Sequence, residues 1–252
     1  MRNPSIKNTL LFVLIGLVFT LSACSQVLPT QAPNFLQLAE QSYREGKLEE
    51  AHQYYSKAIE QKDSMDAAYA GRGKVFSTWR RFDEAVADYS ASLEIVRTAD
   101  VLSSRCIAYR IQHKFDLAKA DCDEALTADP QLAIVYVANA LLQIEQGDLD
   151  SARRILEDAE GKNVKSAELY YVMFEIENAT GDINKALELI NKAIALDATQ
   201  PQFYWSRAFI HYSQAKIDEA KEDLNLLITH AKPGRDDELL FKATNLLNNL
   251  GR

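Results

Sequence analysis

Apolar and small side chains recur along the chain with a period of about 34 residues. Setting Ala51, Ala85, Ala118, Ala152, Ala186 and Ala220 in register gives steps of 34, 33, 34, 34 and 34 residues. Three residues before each alanine stands an apolar side chain: Leu48, Phe82, Phe115, Leu149, Ile183 and Ile217. Sixteen before it stands a large one: Phe35, Tyr69, Leu102, Tyr136, Tyr170 and Tyr204. Seven after it, Ala58, Ser92, Ala125, Ala159 and Ala193 are small, and Leu227 is the exception. Offsets of three and seven place side chains on one face of a helix, whereas a strand would alternate every second residue. A unit of this length has room for two helices and cannot bury its apolar face alone, so neighbouring units must stack into one continuous core. After Pro233-Gly234, the residues Leu239, Leu240, Ala243, Leu246, Leu247 and Leu250 share a face, predicting an amphipathic helix over 235–250. Asp236 and Asp237 stand at its positive dipole end, and it reads as the cap of the stack.

The amino terminus follows another pattern. Arg2 and Lys7 precede a nearly uninterrupted apolar run, Thr9 to Leu21. Thirteen helical residues reach about 20 Å, short of the roughly 30 Å of bilayer hydrocarbon, so an export signal is favoured over a spanning helix. Leu21-Ser22-Ala23-Cys24 resembles a bacterial lipobox. That resemblance implies removal of residues 1–23 and acylation of Cys24, and several acyl chains at ~0.8 kcal/mol per buried CH₂ make a lasting anchor. Ser25 resembles an outer-membrane sorting signal, which in a diderm cell would place the protein on the outer membrane facing the periplasm. Residues 24–33, with Pro29 and Pro33 and no charge, read as a tether reaching at most ~30 Å.

The 34-residue unit resembles the tetratricopeptide repeat, a helix-turn-helix with an aromatic early in helix A, small residues where the helices cross, and glycine at the turn. The nearest single match is Arg105-Cys106-Ile107-Ala108-Tyr109, then Phe115-Asp116-Leu117-Ala118, then Ala125-Leu126-Thr127-Ala128-Asp129-Pro130. Gly46, Gly147 and Gly181 take the turn position, where Arg80, His113 and Ala215 stand in the other repeats and should loosen their turns. The resemblance covers residues 32–232 and implies an all-α fold. Six helix pairs (about 32–65, 66–98, 99–132, 133–166, 167–200 and 201–232) would form a right-handed α-solenoid ending in the capping helix.

Composition narrows the chemistry. Of 252 residues, 47% are hydrophobic and 25% charged, enough apolar material to exclude disorder as the main state. Only 9 Gly and 6 Pro leave little for the tight turns of an all-β chain. Loss of the leader leaves 26 basic against 36 acidic residues, a net −10 that repels phosphate backbones, and no basic stripe is present for nucleic acid. His52, His113, His211 and His230 form no metal or catalytic spacing. Gly71-Arg72-Gly73-Lys74 is a poor phosphate loop, since Ala68 stands where its first glycine belongs and Val75 replaces Ser or Thr. No acid–base or nucleophile set is visible, so the chain reads as a non-enzyme that needs no cofactor or metal. Cys106 and Cys122 fall in the two helices of the third repeat. Two buried thiols are the plainer reading, and a disulfide favoured by an oxidising compartment is the alternative.

Recognition in this family uses helix-A residues of the concave surface, a role carried here position by position. The amino-terminal half presents Gln37, Glu40, Arg44, Lys74, Ser77, Asp100, Ser103 and Arg110, a mixed polar set in which Arg110 reads as a solvated neighbour of Lys74. The carboxyl-terminal half presents Val137, Leu141, Ile144, Tyr171, Trp205, Phe209 and Tyr212, with Glu175 and Asn178 between them. Exposed aromatic clusters mark contact surfaces, while aromatics at helical spacing also serve as core, and Trp205 and Phe209 admit both readings. The Lys and Asn clamp of chaperone-binding repeats is replaced by Leu36 and Glu40, which argues against that ligand. These features point to a membrane-anchored adaptor binding a segment of another cell-envelope protein. Pilotins for secretins, pilus-assembly factors and adaptors of peptidoglycan hydrolases share this plan. The other reading is a glycan or small-ligand module using Tyr171, Trp205 and Tyr212 as stacking platforms.

Overall fold

The computed structural model describes residues 34–250, so the leader, Cys24 and the tether lie outside the described residues. Thirteen helices make up this unit and no strand occurs among the described residues. They fall into six antiparallel pairs: α1 (Phe35–Arg44) with α2 (Leu48–Glu60), α3 (Met65–Thr78) with α4 (Phe82–Ile95), α5 (Ala99–Ile111) with α6 (Phe115–Ala128), α7 (Ala133–Glu145) with α8 (Leu149–Gly161), α9 (Ala167–Thr180) with α10 (Ile183–Leu196), and α11 (Pro201–Ser213) with α12 (Ile217–His230). The final helix α13 (Asp237–Leu250) packs on the sixth pair, with Leu239, Leu240, Leu246, Leu247 and Leu250 closing over Tyr204, Leu224 and Leu227.

All six aligned alanines are 0% exposed. A methyl group there lets the two helices of a pair close on each other, and the residues three before each, from Leu48 to Ile217, lie half-buried at the start of the second helix. Space is tighter still in the second repeat. A Cβ on Gly73 would lie 2.7 Å from the Tyr89 ring, and one on Gly71 would collide with the ring of Tyr55. The Gly71–Lys74 segment is thus helical packing surface.

The turns correct one expectation. Arg80, His113 and Ala215 adopt φ of 61°, 57° and 57°, the same left-handed conformation as Gly46, Gly147 and Gly181 at 74°, 82° and 90°. Backbone hydrogen bonds explain the uniformity: each turn residue's N–H, and that of the next residue, donates to carbonyls of the preceding helix, as in Ala215 N to Tyr212 O (3.0 Å) and Lys216 N to His211 O (2.9 Å). The turn is held and the non-glycine residues carry the strain, roughly 1–2 kcal/mol each.

Polar ties recur with the repeat and were not anticipated from sequence. Arg72 donates to both carboxylate oxygens of Asp88 on its partner helix (2.7 and 2.8 Å) and to the Ser56 hydroxyl on the preceding repeat (3.2 Å). Arg105 does the same to Asp121 and Ser90, and Arg207 to Asp223 and Asn191. Each guanidinium therefore joins three helices across a repeat boundary. Because Asp223 is almost fully buried, removing one partner of such a pair costs on the order of 3–5 kcal/mol.

Where two free thiols were the plainer reading, the structure bonds Cys106 to Cys122, with Cα atoms 5.6 Å apart, across α5 and α6. Two measurements follow. Denatured, unreduced protein should expose neither thiol to a colorimetric reagent, and reduction should lower the unfolding free energy by about 3 kcal/mol for a loop of this size. Ala215→Gly should raise stability by roughly 0.5–1 kcal/mol in urea titration, since relief of the left-handed strain exceeds the entropy cost of glycine.

Candidate groove site

Which side of the stack is concave follows from helix spacing. Consecutive first helices pack against each other at α1–α3, α3–α5, α5–α7 and α7–α9, whereas consecutive second helices do not. A curved stack is closest on its inner side, so the first helices line the inner wall. Between α9 and α11 the backbones stand further apart, and aromatic rings fill the gap. The position fifteen before each aligned alanine runs Leu36, Ala70, Ser103, Val137, Tyr171 and Trp205, growing bulky only in the last two repeats. Tyr171 meets Phe203 with ring centroids 5.0 Å apart, and its hydroxyl shares a 3.3 Å hydrogen bond with Ser206.

A pocket of about 410 Å³ opens at this step, lined by Tyr171, Phe174, Glu175, Asn178, Trp205, Ser206 and Phe209. Five of these were singled out from sequence. Phe174 and Ser206 were not, although Phe174 leaves a signal: it stands twelve before its aligned alanine, where the other repeats have Ala39, Gly73, Cys106, Ala140 and Ala208. A large ring at a small-residue position pushes Tyr171 outward, their centroids 5.5 Å apart.

Trp205 and Phe209 divide between the two roles open to them. Phe209 is 56% exposed on the rim, while half-buried Trp205 also leans on the core of the sixth repeat and its cap. Crowding by surrounding protein pushes the Glu175 carboxyl above its ordinary value, with the nearby Tyr171 hydroxyl pulling the other way, and burial likewise raises Tyr171. The pocket thus sets one carboxylate and one amide among four rings. That composition suits contact with an apolar segment carrying a hydrogen-bond donor or a cation.

Other sequence candidates sit elsewhere. Leu141 and Ile144 are half-buried against the core of the fourth and fifth repeats, and Val137 belongs to that core. Tyr212 is exposed on α11 outside the pocket. Arg110 is not a solvated neighbour of Lys74: its guanidinium pairs with Glu145 on α7, tying the inner helices of two repeats. At the amino-terminal end Glu40, Arg44, Lys74 and Asp100 share a separate pocket of about 380 Å³ whose balanced charges suit no one ligand. No cluster of three His, Cys, Asp or Glu side chains occurs among the described residues, nor any helix long and apolar enough to cross a membrane.

Comparison with known proteins agrees with this architecture. The Tetratricopeptide repeat family matches residues 109–173. Human superkiller complex protein 3 is 30% identical over 127 residues, although the chain spans only 8% of that protein's length. An uncharacterized protein of Methanocaldococcus jannaschii is 32% identical over 83 residues, which cover 31% of this chain and 96% of that protein. Among solved structures, PilW, a widely conserved type IV pilus biogenesis factor, superposes with a TM-score of 0.65 at 16% identity, covering 82% of this chain and 96% of PilW. The stacked helix pairs are thus the tetratricopeptide-repeat fold, and residues 109–173 match the tetratricopeptide-repeat family itself.

Proposed function

We propose that the protein is an exported, lipid-anchored adaptor that holds a segment of another cell-envelope protein in the α9–α11 pocket. Repeat proteins of this family are protein-interaction scaffolds, and the observation that carries the narrower reading is the pocket itself, with exposed Phe209 beside half-buried Trp205 and Tyr171 over the buried ring of Phe174. Leaving such rings in water costs free energy that a bound chain recovers at small side-chain entropy cost. Glu175, raised by desolvation, gains a partner if the segment carries a basic residue. Export draws support from the basic, apolar and lipobox parts at residues 1–24 in their proper order, and from the Cys106–Cys122 bond, a feature of oxidising compartments. A place in pilus assembly draws support from the fold shared with PilW. Anchoring through Cys24 would add affinity without new contacts, because confinement to the membrane surface raises the effective concentration of the partner.

Crosslinking in the native envelope should capture a protein partner. Trp205→Ala combined with Phe209→Ala should reduce that capture by about 30-fold, equivalent to 2 kcal/mol, with unchanged helical circular dichroism. Unaltered capture ends the reading, and tryptophan quenching by cell-wall fragments in place of capture turns it to a glycan module. Cys24→Ala should move the protein from the membrane fraction to the soluble one.

A further inference from the structure

The arginine tie described above is missing from the fourth repeat, and a cavity takes its place. The residue thirteen before each aligned alanine is Arg72, Arg105 and Arg207 in repeats two, three and six, and Asn139 in repeat four. The carboxylate that answers it on the partner helix, Asp88, Asp121 or Asp223, is there Ile155. In repeats one and five the same pair is Leu38 with Tyr54 and Met173 with Leu189, so the arginine position there holds an apolar side chain that needs no polar partner. Of the four repeats with a polar side chain at the arginine position, only the fourth lacks the carboxylate that answers it. Asn139 is 5% exposed and its Oδ1 is buried with no hydrogen-bond partner.

The acceptor on the preceding repeat is retained and strengthened. Ser56, Ser90 and Asn191 accept from the third arm of the guanidinium, and the position matching them beside Asn139 holds Asp123. Asn139 and Asp123 both line an open cavity of about 520 Å³ between α6, α7 and α8, on the other side of the stack from the aromatic pocket. Three cations stand nearby and each already has acceptors of its own. Lys119 binds Asp123 Oδ2 at 2.7 Å, Arg154 donates to the Ser151 hydroxyl at 2.9 Å, and Lys162 binds Asp158 at 2.6 Å. Asn139 Oδ1 is left without a donor, while Asp123, whose side chain is exposed to solvent, pairs with Lys119 through Oδ2 and leaves Oδ1 free of protein donors.

We propose that this cavity receives the guanidinium of an arginine side chain from a partner protein, placed where the chain's own arginines sit in repeats two, three and six. A planar fork with five donors can reach a carboxylate on one helix and an amide oxygen on the next at once, which the compact ammonium of lysine does not match. The partner is thereby given a second point of attachment, on the face opposite the groove.

Hydrogen exchange of the full chain in detergent micelles, read by mass spectrometry, tests this with N-acetyl-arginine amide as probe. At about 20 mM probe, peptides spanning 136–143 and 151–158 should exchange at least about twofold more slowly, while N-acetyl-lysine amide has little effect. Asn139→Arg with Ile155→Asp rebuilds the internal tie and should abolish the response while raising the melting temperature. Asp123→Asn, an exposed and conservative change, should weaken the response severalfold and keeps the test decisive if the double variant does not fold. Equal protection by the lysine analogue, no protection by either, or a response that survives Asp123→Asn overturns the proposal. Tighter binding of free L-arginine than of the blocked amide would assign the cavity to the amino acid and remove the protein partner.

Discussion

The architecture depends on how closely the two helices of each pair approach. Side chains at the crossing point are methyl groups or smaller: Ala51, Ala85, Ala118, Ala152, Ala186 and Ala220 lose all solvent contact, and Gly71 and Gly73 take the room that Tyr55 and Tyr89 need. With that distance set, the large residues at the early first-helix position and at the start of the second helix are directed out of the pair and into its neighbours. Each pair then depends on the next for burial, and α13 is needed because the sixth has no successor.

Polar contacts act on this apolar frame in a graded way. Arginine ties join three helices at a time in repeats two, three and six, while repeats one and five fill the same place with Leu38 and Met173. An arginine that meets its carboxylate and a neighbouring acceptor repays its desolvation, and so does a hydrocarbon side chain; an unanswered amide such as Asn139 does not. The two cavities arise from opposite causes. Near Asn139 a long side chain has been shortened and space appears, whereas between α9 and α11 rings at formerly small positions wedge two helices apart.

Turn geometry shows the same dominance of the whole over the part. Glycine suits the left-handed residue between helices, yet Arg80, His113 and Ala215 take that conformation because two backbone hydrogen bonds and two packed helices hold it. Local strain of about 1 kcal/mol is small beside the burial that the turn permits.

The register of six alanines, the pairing of helices and the leucine face of α13 were legible in the chain, because a repeated pattern reports burial at every copy of a position. Tyr171, Glu175, Asn178, Trp205 and Phe209 could likewise be assigned to the inner wall by position. Departures from the pattern carried further signal: Phe174 at a small position and the Arg and Asp sixteen residues apart were both readable. What only the folded molecule decided is which of these side chains meet. A rotation of about 100° separates one helical residue from the next, so sequence alone could not turn Phe209 to water or Trp205 partly to the core, nor turn Arg110 to Glu145 rather than Lys74. Nor could it show that Asn139 Oδ1 lacks a donor or that the two sulfurs of the third repeat face each other. Those facts depend on distances of a few tenths of an ångström between elements remote in the chain, and packing sets them.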